Sequence, residues 1–473
     1  MIILKVQFLG GNKEVTGSRT LLTMPDGLKI LVDFGMIQSN LGQLEETLKW
    51  NGRDFEFDVE DIDVLVITHT HIDHCSAIPL LIKRGFKGKI ITTAPTAEFC
   101  KIALPDSARV MISDCMWANK RRPKNKLVPL YTEEEAKAVI DLIQCYDYNT
   151  EIVLNDKTTL ELKCAGHILG ACMPKFTYKD GYKTKTILFT GDTSAKSSIH
   201  PFLKVADDIG DVDYVVCEST YGDRVHKDIN YIEVLTRSIQ ETCIDRGKTL
   251  VIPVFSMQRS SEILWLLREV YLQNEHFYRK VPIYLDSPMA CKSQMVINNN
   301  RDYWGKDWLE RDKMLTNLFD WEVINYISDY KESQGLKNGH PKIILSSSGM
   351  CSGGRVLQHL ESFLPSKGCK FLFCGYQAEG TLGRKILEGK QKSIAVNRKQ
   401  LIIRAEIEQM EFSSHADYNQ LVELLKTSKK GKLKKVFLNH GDIAASTNLK
   451  KEIERNLKGI NVTIPKYKDT YKL

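Results

Sequence analysis

The stretch Thr68–Cys75, "THTHIDHC", packs His69, His71, Asp73 and His74 into six positions of a 473-residue chain that holds eleven histidines. Imidazole nitrogens and a carboxylate are the ligands of Zn²⁺ or a similar divalent ion. Four such groups in one loop exceed what a single tetrahedral ion usually draws from so short a span. Two ions are the natural reading, and a histidine-rich polar loop is the plain alternative. The device recurs. The apolar runs "TTLELKCAGH", "KTILFTGD" and "KKVFLNHGD" deliver His167, Asp192 and His440. A lone histidine after a strand is more often a cap or a structural group. Several of them, with the opening loop, gather ligands at the carboxyl ends of strands, where loops hold catalytic groups on a rigid frame. Asp192 lies on a Gly-Asp turn, where a carboxylate could bridge two ions.

The elements that position these residues are readable from periodicity. "LKVQFLG", "RTLLTM" and "LKILVDFG" are strands separated by turn signals, and "DIDVLVITH" is a buried strand with His69 at its carboxyl end. "TEEEAKAVIDLIQCYDY" is a helix that Thr132 could cap. From about Tyr221 the grammar changes. "KTLVIPVF", "KVPIYLDSP", "PKIILSSSG" and "CKFLFCGYQ" each precede a helical stretch. That alternation predicts a doubly wound parallel sheet. From "KQLIIRAEIEQM", near Lys399, the earlier pattern returns. With no Pro/Ser-rich linker between the blocks, the middle domain reads as inserted. The expected boundaries are 1–220 and 399–473 for the two parts of one domain and 221–398 for the insertion.

Composition bounds the class. Apolar residues are 42%, charged residues 26% and the formal net charge is +7, ordinary for a soluble globular protein and suited to an acidic partner. No uncharged apolar run is long enough for a membrane span. The first residues read as a strand, not a signal peptide. Twelve cysteines occur without a Cys-x-x-Cys pair, which points to reduced thiols in a cytoplasm.

The ordered set "HTHIDH", "GH", "FTGD" and "NHGD" resembles the metallo-β-lactamase fold hydrolases. The resemblance implies an αββα sandwich and two divalent ions, most often zinc. It implies one ion at His69, His71 and His167, a second at Asp73, His74 and His440, and Asp192 as the bridge. "CEST" with Glu218, "FSSHADY" with His415, and His440 itself are similar to the three extra motifs of the β-CASP nucleases, in which an α/β domain interrupts the metallo-β-lactamase domain. "GGNKEVTGS", "DSPMA", "SSSGMCSGGR" and "GYQAEGTLGR" resemble segments of their RNA-processing branch. DNA-repair members tend to carry valine where His440 stands. No RNA-binding module ahead of residue 1 and no long tail of the RNase J kind after residue 473 are expected.

The activity implied is hydrolysis of RNA phosphodiester bonds by a hydroxide held between two ions, endonucleolytic or 5′-to-3′ exonucleolytic. A DNA nuclease and a metal-free scaffold of the same fold are the rivals. Asp73 and Asp192 would serve catalysis through the ions. His415 would protonate the leaving 3′-oxygen, and Glu218 would orient it; a helix-capping histidine is the alternative. Asp33, ending "KILVD", is a candidate partner for a ligand histidine. For phosphates, the glycine-rich loops offer Ser347, Ser348, Gly349 and Arg355, and Gln377, Thr381 and Arg384. The basic runs "KRRPKNK" and "KTSKKGKLKK" are more often solvated surface. His200, His226, His276, His340 and His359 read as structural or exposed. The expected partner is single-stranded RNA, with no membrane; a homodimer is compatible with the sequence.

Overall fold

The computed structural model describes residues 3–37, 44–120, 122, 124–194, 204, 206–277, 280–305, 321–339, 341–429 and 431–473. His200 and His340, and parts of both basic runs, lie outside them. The chain divides into two compact units. The first comprises Met1–His226, Asp302–Gly305 and Ser414–Leu473; the second comprises Lys227–Arg301 and Lys306–Ser413.

Two seven-stranded sheets form the first unit. One runs Thr470–Lys472, Lys5–Gly10, Arg19–Thr23, Lys29–Phe34, Val64–Val66, Lys89–Thr92, Ile143–Cys145. The other runs Asn461–Thr463, Lys435–Asn439, Tyr214–Glu218, Lys183–Phe189, Cys172–Asp180, Thr158–Cys164, Glu151–Val153. Strand alternation explains why the central segments are apolar at successive positions. Val64 and Val66 face the second sheet in a core with Phe8, Phe176, Ile187 and Phe437. Leu65, between them, points outward to Leu80, Leu81 and Leu104 of the covering helices. On the second sheet, Ile187 joins the inner core while Leu188 joins Leu421, Leu425 and Leu449 of the helices Tyr418–Lys426 and Ile443–Asn456. Helix, sheet, sheet, helix is the αββα sandwich.

The second unit is built on six parallel strands in the order Ile324–Ile327, Ile283–Asp286, Lys342–Ser346, Thr249–Pro253, Lys370–Cys374, Glu406–Met410. The inner strands TLVIP, KIILS and KFLFC are buried along their whole length, as parallel strands covered on both faces require. The return expected at residue 399 differs from the structure. Lys399–Ile402 forms a hairpin with Ser393–Val396, and Glu406–Met410 completes the parallel sheet beside Lys370–Cys374. The half-exposed, charged pattern of that segment is that of an edge strand, so the crossing back comes at Ser414. Asp302–Gly305 also departs from the expected insertion. Tyr303 donates to Asp147 Oδ1 at 2.6 Å and packs edge-on to Tyr148, and Trp304 is fully buried.

Candidate metal centre

The parallel parts of the two sheets of the first unit set the site. Lys29–Phe34 and Val64–Val66 run in parallel, so Asp33 and the loop after Val66 share one edge. Lys183–Phe189, Tyr214–Glu218 and Lys435–Asn439 also run in parallel, which brings Asp192, Glu218 and His440 to one edge of the other sheet. Asp33 and His440 are non-glycine residues with left-handed backbones, φ 59° and 51°. Such conformations concentrate at functional sites. Gly191, at φ 53°, must be glycine, because a Cβ there would lie 2.9 Å from Cβ of Thr68.

Around this edge, side chains converge in two main groups, and Asp192, Glu218 and His440 make a third that overlaps them. His69, His71, His167 and Asp192 make one; Asp73, His74 and His440 make the other. In the first, Nδ1 of His71 lies 3.1 Å from Nε2 of His69 and 3.1 Å from Nε2 of His167. Oδ2 of Asp192 is 3.5 and 3.7 Å from the same two Nε2 atoms. In the second, Nε2 of His440 is 3.2 Å from Nε2 of His74 and 3.2 Å from Asp73 Oδ2. Nitrogens bound at about 2.0–2.1 Å to one tetrahedral zinc ion stand roughly 3.3 Å apart, so the spacing matches the edges of a coordination shell. Oδ1 of Asp192 is buried and makes no hydrogen bond of good geometry, although Nδ1 of His440 and Nε2 of His74 lie 3.1 and 3.3 Å away. The donor set therefore fits a metal-binding site.

The outer nitrogens are anchored as metal-ligand imidazoles usually are. Nδ1 of His74 meets Asp33 Oδ2 at 2.7 Å. The same carboxylate accepts from the amide and hydroxyl of Thr68, both at 2.8 Å. Nδ1 of His167 donates to the Ser414 carbonyl at 2.9 Å.

Burial holds His69 and His167 well below the ordinary imidazole range and His71 down at about 4. Neutral imidazoles with free lone pairs are the binding form. Burial also lowers His74, but Asp192 and Asp33 outweigh it and raise that ring well above its usual value. Burial raises Asp192, yet His440, His74 and His415 hold its carboxyl well below the usual range. Asp73 follows the same balance, with the His440 hydrogen bond prevailing over burial.

His415 stands beside the groups and belongs to neither. Its Nδ1 meets Glu218 Oε2 at 2.9 Å, its Nε2 is 3.9 Å from Asp192 Oδ2, and its side chain is 20% exposed. Oε1 of Glu218 accepts from the Thr193 amide at 2.6 Å. Burial lowers His415, but Glu218 and Asp192 raise it to about 9. His226 differs from the expectation of a residue without context. Its Nε2 donates to the His415 carbonyl at 2.8 Å, and Tyr221 packs against both rings. Its position after "ESTYGDR" was the only signal in the sequence.

The residues expected at phosphates all lie in the second unit. Arg355 is engaged within its own unit. Its side chain is 14% exposed and donates to Asp286 Oδ1 at 2.7 Å, to the Ile327 carbonyl at 3.0 Å and to the Ser328 carbonyl. The negative charge buried at Asp286 draws it inward. Thr381 caps the helix Leu382–Leu387, and Gln377, buried, donates to the Gly349 carbonyl at 3.1 Å. Ser347 meets Ser256 at 2.7 Å, and Ser348 accepts from the Ser352 amide. Arg384 pairs with Glu388 at 2.8 Å on an exposed helix face. His359, expected to be structural, is buried against Asp286 at 2.6 Å.

Three family descriptions match the chain: "Metallo-beta-lactamase superfamily" over residues 15–139, "Beta-Casp domain" over 260–386 and "Zn-dependent metallo-hydrolase RNA specificity domain" over 400–465. An RNase J-like protein of Methanocaldococcus jannaschii is 31% identical over 464 residues, covering 97% of each chain. The ribonuclease TTHA0252 of Thermus thermophilus is 27% identical over 92% of each chain. The transcription termination factor FttA of Cenarchaeum symbiosum is 29% identical over 98% of this chain and 70% of its own. No helix among the described residues is long and apolar enough to cross a membrane.

Proposed function

This chain belongs to the β-CASP family of metallo-β-lactamase-fold hydrolases, and we propose that it is a metal-dependent ribonuclease that cuts single-stranded RNA endonucleolytically. The observation that carries the reading is the convergence of His69, His71, His167, Asp73, His74 and His440 on one unsatisfied carboxylate, Asp192. The match to an RNA specificity domain supports RNA as the substrate.

On this reading His69, His71 and His167 would hold one zinc ion and Asp73, His74 and His440 a second, with Asp192 available to both. When bound, such a pair supplies Lewis acidity at phosphorus and a nucleophile near neutral pH. The chain does the rest. Asp33 and the Ser414 carbonyl fix the tautomers of His74 and His167, so that Nε2 of each faces the centre. His415, raised by the Glu218 carboxylate beside it, would present an Nε2 proton to the leaving 3′-oxygen. Glu218 holds the ring through Nδ1, and His226 holds the backbone beneath it. The reading is tested with RNA labelled separately at each end and protein loaded with zinc. Internal fragments that appear first support endonucleolytic cutting; mononucleotides released from the 5′ end overturn it. Single-stranded DNA cut at an equal rate overturns the choice of substrate.

A further inference from the structure

A buried arginine makes its hydrogen bonds to neutral acceptors, with the Glu56 carboxylate acting on it only through space. Arg19 is 3% exposed. Its Nε and Nη2 both donate to the Gly35 carbonyl, at 2.9 and 2.8 Å, and Nη2 also donates to Asn51 Oδ1 at 2.9 Å. The guanidinium lies 4.3 Å from the centre of the Phe34 ring. None of these partners is ionised. Taking a cation out of water for neutral acceptors alone is costly, and burial lowers the group to about 10. A residue kept at such cost fixes something.

What it fixes is a short backbone segment. Asn51, fully buried, accepts from the Ile37 amide at 2.9 Å and donates to the Ile37 carbonyl at 2.8 Å. It also donates to the Thr47 carbonyl of its own helix. Arg19 and Asn51 thus grip Gly35 and Ile37, the two ends of one three-residue span. The other side of that span carries the metal loop. The Met36 amide donates to the Ile72 carbonyl at 3.2 Å, and the Gly35 amide donates to the Ser18 carbonyl at 3.1 Å. The Ser18 amide in turn donates to the Asp73 carbonyl at 2.8 Å. The fit is tight: a Cβ on Gly35 would lie 1.7 Å from the Asp73 carbonyl oxygen. The Asp73 backbone has no room to drift while Gly35 is held, and it has room once Gly35 is released.

We infer that Arg19 and Asn51 are positioning residues for the Asp73–His74–His440 half of the metal centre, clamping the Gly35–Ile37 span against the backbone of Ile72 and Asp73. The inference rests on the two-ion reading above. It also assigns unequal consequences to the two halves. The Asp73 backbone lies against the clamped span, and His74 follows it. Of the other ion's ligands, His69 lies three residues past its strand and His167 comes from the other sheet, anchored by Ser414, and only His71 shares the loop next to Ile72.

The test uses the full chain loaded with zinc. Zinc per chain is measured by mass spectrometry, and the affinity of each ion by competition with a graded chelator. Arg19→Ala and Asn51→Ala should keep one ion tightly and bind the other about 10–100-fold more weakly, the usual cost of losing a support behind a metal ligand. Arg19→Lys should restore part of that loss, since an ammonium can reach the Gly35 carbonyl but cannot make the forked contact. If Arg19→Ala does not fold, Arg19→Lys and Asn51→Ala decide. A parent protein that binds fewer than two ions overturns the two-ion reading itself. A parent with two ions, and variants that hold both with parental affinity, overturns the clamp. So does equal weakening of both ions, which would mark a general loosening.

Discussion

At the metal centre, polar side chains turn towards one another and leave lone pairs unspent. In the glycine-rich loops of the second unit, most donors and acceptors are matched, the buried Oε1 of Gln377 being an exception. Both are turns where a strand gives way to a helix, and both carry the residue types of a binding site. The difference lies in what the local structure satisfies. His69, His71, His167 and Asp192 bring only acceptors to one point, an arrangement that costs stability unless a cation completes it. Arg355 meets Asp286, Gln377 meets Gly349, and Thr381 caps its own helix. Unspent valence, more than residue type, separates a site from a turn.

The sharpest way to break this contrast is to remove the shared acceptor. Asp192→Ala should take RNA cleavage to background and lower the zinc content, with RNA binding retained in a filter assay. Normal zinc content together with cleavage would mean that the convergence is not a metal centre. Next in size is His415, which faces the centre without joining either group. His415→Ala should keep both ions and RNA affinity while slowing cleavage by roughly 10²–10⁴-fold, the usual worth of general acid catalysis. A 3′-thio linkage, whose leaving group needs no proton, should recover much of that loss. Loss of an ion in this variant would make His415 a ligand instead.

In the second unit the expectation reverses, and stability is what should respond. Arg355→Ala leaves Asp286 buried without its cation, a change that typically costs roughly 3–5 kcal/mol. It should lower the midpoint of urea unfolding while leaving zinc content at the parental value. The acid limb follows from the same pair. Burial raises the Asp286 carboxyl, but His359, Ser333 and Arg355 outweigh it, so its value when folded is below that when unfolded. Its contribution is complete above the unfolded value of about 3.9 and is lost as pH falls through the folded one. Asp286→Asn should therefore flatten the fall in stability below about pH 4. An unchanged acid limb would show that the carboxylate is not what holds this unit together.

The ligand clusters were legible in the sequence because they need particular side chains at particular strand ends. "THTHIDHC" can hardly be written for packing alone, and each of His167, Asp192 and His440 follows an apolar run. The strands were legible for a related reason, since strands buried on two faces leave apolar runs; their pairing into an αββα sandwich came from the family resemblance. The glycine-rich loops were not, because glycine and serine serve a turn and a phosphate equally well. Nothing near Arg355 in sequence announces Asp286, which arrives from another strand. The edge strand Glu406–Met410 hid behind its charges, which suit an exposed edge as well as they suit a loop. Arg19 was equally silent: its partners are backbone carbonyls and an asparagine that only the fold brings near.

Arg384 sharpens the comparison at its weakest point, because it is the one arginine of the expected phosphate loops that stays in solvent. Its side chain is 39% exposed, and its pairing with Glu388 is a surface contact one helical turn away. Such pairs hold loosely, so a phosphate could take the guanidinium over with little loss. If it does, Arg384→Ala should reduce the slope of log affinity against log salt by about one unit, the loss of a single phosphate contact, with the unfolding midpoint nearly unchanged. Glu388→Gln supplies the control. It frees the guanidinium without removing it, so RNA affinity at low salt should rise slightly and the slope should hold. Should Arg384→Ala bind RNA with the parental slope at every salt concentration, this loop is a turn, and the phosphate contacts of the second unit lie elsewhere.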